Sequence, residues 1–364
     1  MQTRAAVARD YSFDMHLETL DLVEPGEGEV RVRIVASGVC HTDLKCATDP
    51  LYAPHPVVLG HEGSGVVEAV GPGVHKLAPG DHVVLTFASC GDCPSCRDAE
   101  PAYCWNQGPL NFGCKRPDGS TAFRCEGVAV HGDFFGQSSF ASHAIANVRN
   151  AVKVRADAPL ELLGPLGCGI QTGAGAMFND LALKVGETVC VFGVGSLGLS
   201  AILAAKVLGA SRIVAVDRHQ HRLDFARELG ADVVLLAGAE PVTAEVLKAV
   251  PGGVNVSFDT TGVGAVMLQA IDVLAPRGRM GFVTGPSDRK PIPFHPRALM
   301  LGRTMKGIIE GNSNPDVFIP LLVDLYMKGK FPFDRFVKYY DFADIVQAFE
   351  DVEHGTTVKP ILRM

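Results

Sequence analysis

One stretch limits the possible folds more than any other: ETVCVFGVGSLGLSAILAAKVLGASRIVAVD, residues 187–217. It reads as an apolar strand, a glycine turn, a helix and a second apolar strand, which is the βαβ unit of a parallel sheet. Gly193, Gly195 and Gly198 form G-x-G-x-x-G directly after TVCVF and at the start of the helix. The first two glycines permit a tight turn and close approach of backbone to a pyrophosphate. The third lets helix and strand pack closely, and the helix N-terminus offers amide donors. Nineteen residues beyond Gly198 the second strand ends in Asp217. A carboxylate there can accept hydrogen bonds from both adenosine ribose hydroxyls and would repel a 2′-phosphate. NAD is therefore expected over NADP, although the neighbouring Arg218 could receive a phosphate.

Around this unit the chain divides by rhythm. From about residue 28 short alternating strands follow one another, as in EVRVRIVASG, GSGVVEAVG and GDHVVLTF, with dense glycine and proline through residue 120. Residues 105–150 read as a long loop-rich connection with short apolar runs such as SSFASHAIA. From about 170 helices and strands alternate, continuing through RLDFARELGA, DVVLL, VNVSFDTTG and GRMGFVTG until about 308. The expected fold is therefore α/β in two domains. A β-rich, barrel-like domain spans 1–169 and is completed by 310–364; a doubly wound parallel sheet, 170–309, is inserted between.

The bulk properties exclude several function classes. The net charge is −7 and the basic residues are scattered, which argues against a nucleic-acid surface or an anionic-membrane patch. No run of 18 or more apolar residues appears, so no membrane span is expected. The N-terminal residues lack the apolar core of a secretory signal, and the expected location is the cytoplasm.

A reducing compartment matters for the ten cysteines, four of which fall in CGDCPSCRDAEPAYC, residues 90–104. Cys90, Cys93, Cys96 and Cys104 follow C-x2-C-x2-C-x7-C. Tight turns let such sulfurs converge on one tetrahedral centre, so a closed structural zinc site is expected. A redox CxxC would need only two cysteines in a βα context, which is missing. Cys190 lies within the first strand of the βαβ unit as an apolar filler, and Cys46, Cys114 and Cys125 have no partner pattern. Cys40, in SGVCHTD, and Cys168, in PLGCGIQTG, flank His61 in LGHEGSG. Two cysteines and a histidine would make a three-ligand zinc site with an open fourth position. Their wide separation leaves open the alternative that His61 is a hydrogen-bonded structural residue.

GHEGSGVVEAVG, GVCHTD, the four-cysteine lobe and GVGSLG occur in an order that resembles the zinc-dependent alcohol dehydrogenases of the medium-chain dehydrogenase/reductase superfamily, over essentially the whole chain. LLGPLGCGIQTGAGA and FFGQSSF resemble the aryl-alcohol and geraniol dehydrogenase branch, whose members oxidise benzylic and allylic primary alcohols. The resemblance implies a GroES-like catalytic domain, a Rossmann domain, NAD and two zinc ions per chain. It also implies a homodimer or homotetramer that takes a small-molecule alcohol or aldehyde.

At the level of residues, the resemblance implies a catalytic zinc on Cys40, His61 and Cys168, with Asp43 fixing the tautomer of His61. Glu62 would lie behind the metal, and Thr42 would contact the alcohol and relay its proton. Around the cofactor it implies His41, Thr172, Arg222 and Lys359 in addition to the three glycines and Asp217. Phe134 and Phe135 would line the substrate pocket, where aromatic walls suit a benzylic or prenyl-like chain. Two positions depart from the common pattern. His41 replaces an arginine beside the pyrophosphate. Lys45 replaces a histidine at the end of the proton relay, and a free lysine, with a pKa of about 10.4, is badly matched to neutral proton exchange. The implied reaction is reversible oxidation of a primary alcohol to an aldehyde, with hydride transfer to C4 of the nicotinamide. The alternative is a thiol-dependent formaldehyde dehydrogenase, whose anionic adduct would need more basic pocket residues than Lys115 and Arg116. A non-catalytic binding protein is disfavoured because every zinc ligand and fingerprint glycine is kept.

Overall fold

The computed structural model describes residues 1–286 and 289–364. These form two units, one of Met1–Gly169, Asn314–Gly329 and Asp334–Met364, the other of Ile170–Ser313 and Lys330–Phe333.

The first unit is organised by the strand Glu29–Gly38. Its alternating sequence, EVRVRIVASG, turns Val30, Val32 and Ile34 into a buried face. It pairs antiparallel with Gly63–Val70 and His143–Asn147, and its end pairs with the C-terminal strand Lys359–Arg363. That last pairing sets Ile361 opposite Gly38, so the end of the chain reaches the segment that carries Cys40. The stretch read from sequence as a loop-rich connection contains this His143–Asn147 strand and a short hairpin, Phe123–Cys125 with Val128–Val130. Three- to five-residue strands are too short to give a clear period-2 signal, and neighbouring pairing decides them. Phe134, Phe140 and Phe349 are packed into one apolar core of this unit, while Val32, Val67, Val83 and Leu85 belong to another.

In the second unit six strands run parallel in the spatial order Val233–Leu236, Arg212–Asp217, Thr188–Phe192, Val254–Asp259, Leu274–Phe282 and Thr304–Gly307. The chain builds outward on one side of Thr188–Phe192 and then resumes on its other side. The order therefore reverses at that strand, and ligands of such sheets bind beyond the strand ends at this switch point. The helix Ser196–Val207 begins there. Eight of its twelve residues are buried, which explains why LGLSAILAAKV is apolar nearly all round. Cys190 is fully buried in the strand, and burial pushes its thiol far up, as suits an inert filler.

The glycine turn follows from contact distances. A Cβ on Gly198 would sit 2.0 Å from the carbonyl oxygen of Gly193, so helix and strand could not approach as they do. Gly193 itself has φ +83°, in the left-handed region. A Cβ on Gly195 would meet nothing within 4 Å, which leaves that side of the turn open for a phosphate. Among the described residues, no helix is long and apolar enough to cross a membrane. Gly198→Ala is expected to destabilise the protein by about 1–3 kcal/mol through this overlap. Chemical denaturation measures it; an unchanged midpoint would show that the turn relaxes freely.

Candidate active site

Among the described residues two groups of His, Cys, Asp and Glu have ligand atoms close enough to share a metal ion. In the first, the sulfurs of Cys90, Cys93, Cys96 and Cys104 lie within 4.8 Å of one another. Backbone amides point at them: Cys93 N–H donates to Cys90 Sγ at 3.4 Å, and Cys90 N–H and Asn106 N–H donate to Cys104 Sγ at 3.3 and 3.4 Å. The Trp105 amide draws the Cys93 thiol down to about 6, whereas burial pushes Cys96 up to about 12. Four converging sulfurs with amide donors behind them fit a zinc ion with no open position.

The second group gathers Cys40, His61, Glu62 and Cys168, again within 4.8 Å. Cys40 lies two residues beyond the strand Glu29–Gly38 and caps the helix His41–Thr48. His61 and Glu62 precede the strand Gly63–Val70, and Cys168 follows the turn Gly164–Gly167. Strand pairing thus joins residues that are distant in sequence. Asp43 lies at the centre of the arrangement. Its Oδ1 is 2.9 Å from His61 Nδ1 and accepts from Gly60 N–H at 3.0 Å; its Oδ2 accepts from Cys40 N–H at 3.1 Å. A buried carboxylate at Nδ1 places the ring proton there and leaves a lone pair on Nε2. Nε2 is buried and has no hydrogen-bond partner among the described residues. The Cys168 side chain holds the Cys40 thiol well below its ordinary range, with burial opposing. An orphaned imidazole lone pair beside an acidified thiol and a second cysteine fits a zinc ion held by three protein ligands.

Behind this group Glu62 and Lys359 form a buried ion pair, 2.7 Å apart. The Lys359 ammonium also donates to Val39 O at 3.0 Å, and Glu62 Oε1 accepts from Gly169 N–H at 3.2 Å. Burial pushes the Glu62 carboxyl up to about 7, with the Lys359 charge opposing. Sequence resemblance directed Lys359 to the pyrophosphate; its ammonium instead lies 2 % exposed on Glu62 and Val39. No local sequence signal marks this pair, because it depends on where the C-terminal strand is inserted. Thr42 is half-buried with its hydroxyl 3.8 Å from Cys40 Sγ, while His41 and Lys45 are exposed on the same helix.

Phe134 and Phe135 are both buried and pack against the His61 ring, and Phe112 packs on both of them. Gln137, which sequence reasoning passed over, is buried beside them. Its amide donates to His61 O and Thr86 O and accepts from Gly63 N–H. The available signal was a long polar residue inside the otherwise small and aromatic run DFFGQSSF.

In the second unit Asp217 ends its strand almost fully buried, accepting from Val194 N–H in the glycine turn and from His219 N–H, both at 2.8 Å. This ties the carboxylate to the turn it would serve. Arg218 Nε donates to His219 Nε2 at 3.0 Å, and the Arg222 Nε is buried with no hydrogen-bond partner among the described residues. Thr172 Oγ1 donates at 3.3 Å to the buried Glu310, a residue the sequence reading did not single out. The open Gly195 and the capped Asp217 fit a dinucleotide whose ribose is recognised by a carboxylate.

Two expectations follow from the buried charges. Lys359→Met leaves Glu62 buried without its cation and should cost about 3–5 kcal/mol. Adding Glu62→Gln should recover part of that loss in a double-mutant cycle, and additive losses would contradict the pairing. Asp133, adjacent to Phe134, is buried with one carboxylate oxygen unpartnered, and burial pushes its carboxyl up to about 7. Its ordinary value is 3.8. The folded state therefore binds this proton more tightly than the unfolded chain. The corresponding stability is present in acid below about pH 4 and is lost as pH rises through about 7. Thermal melts of Asp133→Asn and the parent should show a variant advantage that grows between pH 4 and pH 8. A pH-independent difference would contradict this.

Comparison with known proteins agrees with this geometry. The family described as alcohol dehydrogenase GroES-like domain matches residues 26–156, and zinc-binding dehydrogenase matches residues 196–326. Geraniol dehydrogenase of Castellaniella defragrans is 45% identical over 365 residues, covering 100% of this chain and 98% of that protein. An alcohol dehydrogenase zinc-binding domain protein from Burkholderia ambifaria superposes with TM-score 0.98 at 48% identity, covering 100% and 99% of the two chains. Benzyl alcohol dehydrogenase from Acinetobacter calcoaceticus superposes with TM-score 0.96 at 43% identity, with the same coverage. With full-length identity at this level and two metal-ligating groups in place, the chain belongs to the zinc-dependent alcohol dehydrogenases of the medium-chain dehydrogenase/reductase superfamily.

Proposed function

We propose that this chain reversibly oxidises primary alcohols that carry an aromatic ring or an allylic, terpenoid-like chain to the corresponding aldehydes, using NAD. The observation that carries the reading is the buried, unpartnered His61 Nε2 beside Cys40 and Cys168. The relatives named for geraniol and benzyl alcohol support the substrate class. Bound zinc supplies a Lewis acid that lowers the pKa of an alcohol, and bound NAD supplies a hydride acceptor.

The chain's own residues supply the rest. Cys40, His61 and Cys168 hold the metal, and Asp43 fixes the imidazole tautomer. Thr42 Oγ1 takes the alcohol proton and passes it toward solvent. Gly193, Gly195 and Gly198 receive the pyrophosphate, while Asp217 and Arg222 hold the adenosine ribose. Thr172 steadies the nicotinamide from its hydrogen bond to Glu310. Phe134 and Phe135, with Phe112 packed on both, form an apolar wall beside His61, where an aromatic or prenyl group would exclude water. The reading extends to a cytoplasmic homodimer or homotetramer.

The formaldehyde alternative is weakened by Arg116. Its guanidinium is committed to Glu29 at 2.7 and 3.0 Å and is not available to an anionic adduct. Initial rates of NAD reduction with benzyl alcohol, geraniol, ethanol and a hydroxymethyl-thiol adduct, repeated with NADP, test the proposal. High turnover of the first two with NAD is expected, with loss on chelation and in Cys40→Ser. Turnover of the adduct alone would replace this reading with the alternative.

A further inference from the structure

Phe135 has surroundings that a pocket wall does not require. Its ring lies 4.5 Å from the His61 imidazole, with the planes 27° apart, and so covers one face of it. Phe134 meets the same imidazole edge-on at 5.4 Å and 87°. With Asp43 on Nδ1, the ring is held on an edge and a face, and Nε2 is left with one direction.

The backbone that delivers these rings is strained. Asp133, Phe135, Gly136 and Ser138 have φ of +56°, +52°, +62° and +52°. Residues other than glycine keep such conformations only when their surroundings over-determine them, and they gather at functional sites. Here the surroundings are a set of buried side chains. Asn150 Nδ2 donates to Phe135 O at 3.0 Å. Ser138 Oγ accepts from Phe134 N–H at 3.0 Å and donates to Val58 O at 2.7 Å. Gln137 donates to His61 O at 3.0 Å and to Thr86 O at 3.1 Å, and accepts from Gly63 N–H at 3.2 Å. The segment is thus fastened on both sides of His61, to the residues that lead into and out of it. Filling an apolar core would not need a left-handed backbone bonded to the histidine's own peptide.

We propose that residues 133–138 clamp the metal ligand, with Phe135 as a positioning residue that fixes the His61 imidazole plane and Gln137 as one that fixes its backbone. The proposal rests on the reading of His61 as a zinc ligand. The test uses the full-length zinc enzyme and its cobalt-substituted form, in the parent, Phe135→Leu, Phe135→Tyr and Gln137→Met. A chromophoric chelator reports the release of each of the two metals, and the visible d–d bands of cobalt report the ligand field.

Phe135→Leu and Gln137→Met should each release one metal about tenfold faster and shift the cobalt bands, while the metal of the four-cysteine lobe leaves at the parent rate. Phe135→Tyr, which keeps the ring, should restore both readouts. Benzyl alcohol and ethanol should lose kcat in proportion. Unchanged release and cobalt spectra in Phe135→Leu, with KM raised for benzyl alcohol only, would make Phe135 a pocket wall alone, with no hold on His61, and overturn the proposal. Should Phe135→Leu not fold, unchanged metal release in Gln137→Met would overturn it equally. A parent enzyme that holds metal in the four-cysteine lobe alone would overturn the reading of His61 itself.

Discussion

The contact between Asp43 and His61 is the constraint on which the first unit's chemistry depends. A buried carboxylate must find donors, and Asp43 finds three: the His61 ring, the Gly60 amide and the Cys40 amide. These bonds tie the Gly60–His61 segment to the start of the helix that follows Cys40. The result is a histidine whose second nitrogen has no hydrogen-bond partner among the described residues, with two cysteines beside it. In a fold without a metal this would be an unsatisfied buried group; with one it is a ligand set. The buried Lys359–Glu62 pair behind it follows the same logic, because a carboxylate next to thiolates is tolerated only with a cation in contact.

Sequence and structure agree most where chemistry is written locally. The glycine turn, Asp217 at the next strand's end and the four-cysteine lobe are each contained within about thirty residues, and spacing alone conveys their geometry. Cys40, His61 and Cys168 are different: they meet only because Glu29–Gly38 pairs with Gly63–Val70 and the turn before Cys168 returns to the same place. Residue types made those three one candidate set with an alternative left open, and family resemblance decided between them. Lys359 was legible as a basic residue but not as the partner of Glu62, since its position depends on the insertion of the final strand beside Gly38. The left-handed backbone of Asp133, Phe135 and Ser138 was not legible at all. No propensity favours it, and only the hydrogen bonds of Gln137, Ser138 and Asn150 account for it.

The two metal-ligating groups divide the work by donor chemistry. The lobe of Cys90, Cys93, Cys96 and Cys104 offers four sulfurs with backbone amides aimed at them, a closed set suited to holding a loop in shape. The group around His61 gathers two cysteines, a histidine and Glu62, whose Oε1 accepts from Lys359; on the proposed reading the first three hold the metal and leave a further position for an incoming oxygen. In the other unit the open face of Gly195 and the tethered Asp217 fit the proposed binding of a pyrophosphate and a neutral ribose.

The central claim is that His61 Nε2, Cys40 Sγ and Cys168 Sγ hold a metal with an open position. Anomalous diffraction at the zinc edge from crystals of the protein tests it most directly. The account predicts two peaks per chain, one within the four-cysteine lobe and one about 2.0–2.1 Å from His61 Nε2 and about 2.3 Å from both sulfurs. A single peak in the lobe, with His61 Nε2 hydrogen-bonded to a protein group, would contradict it.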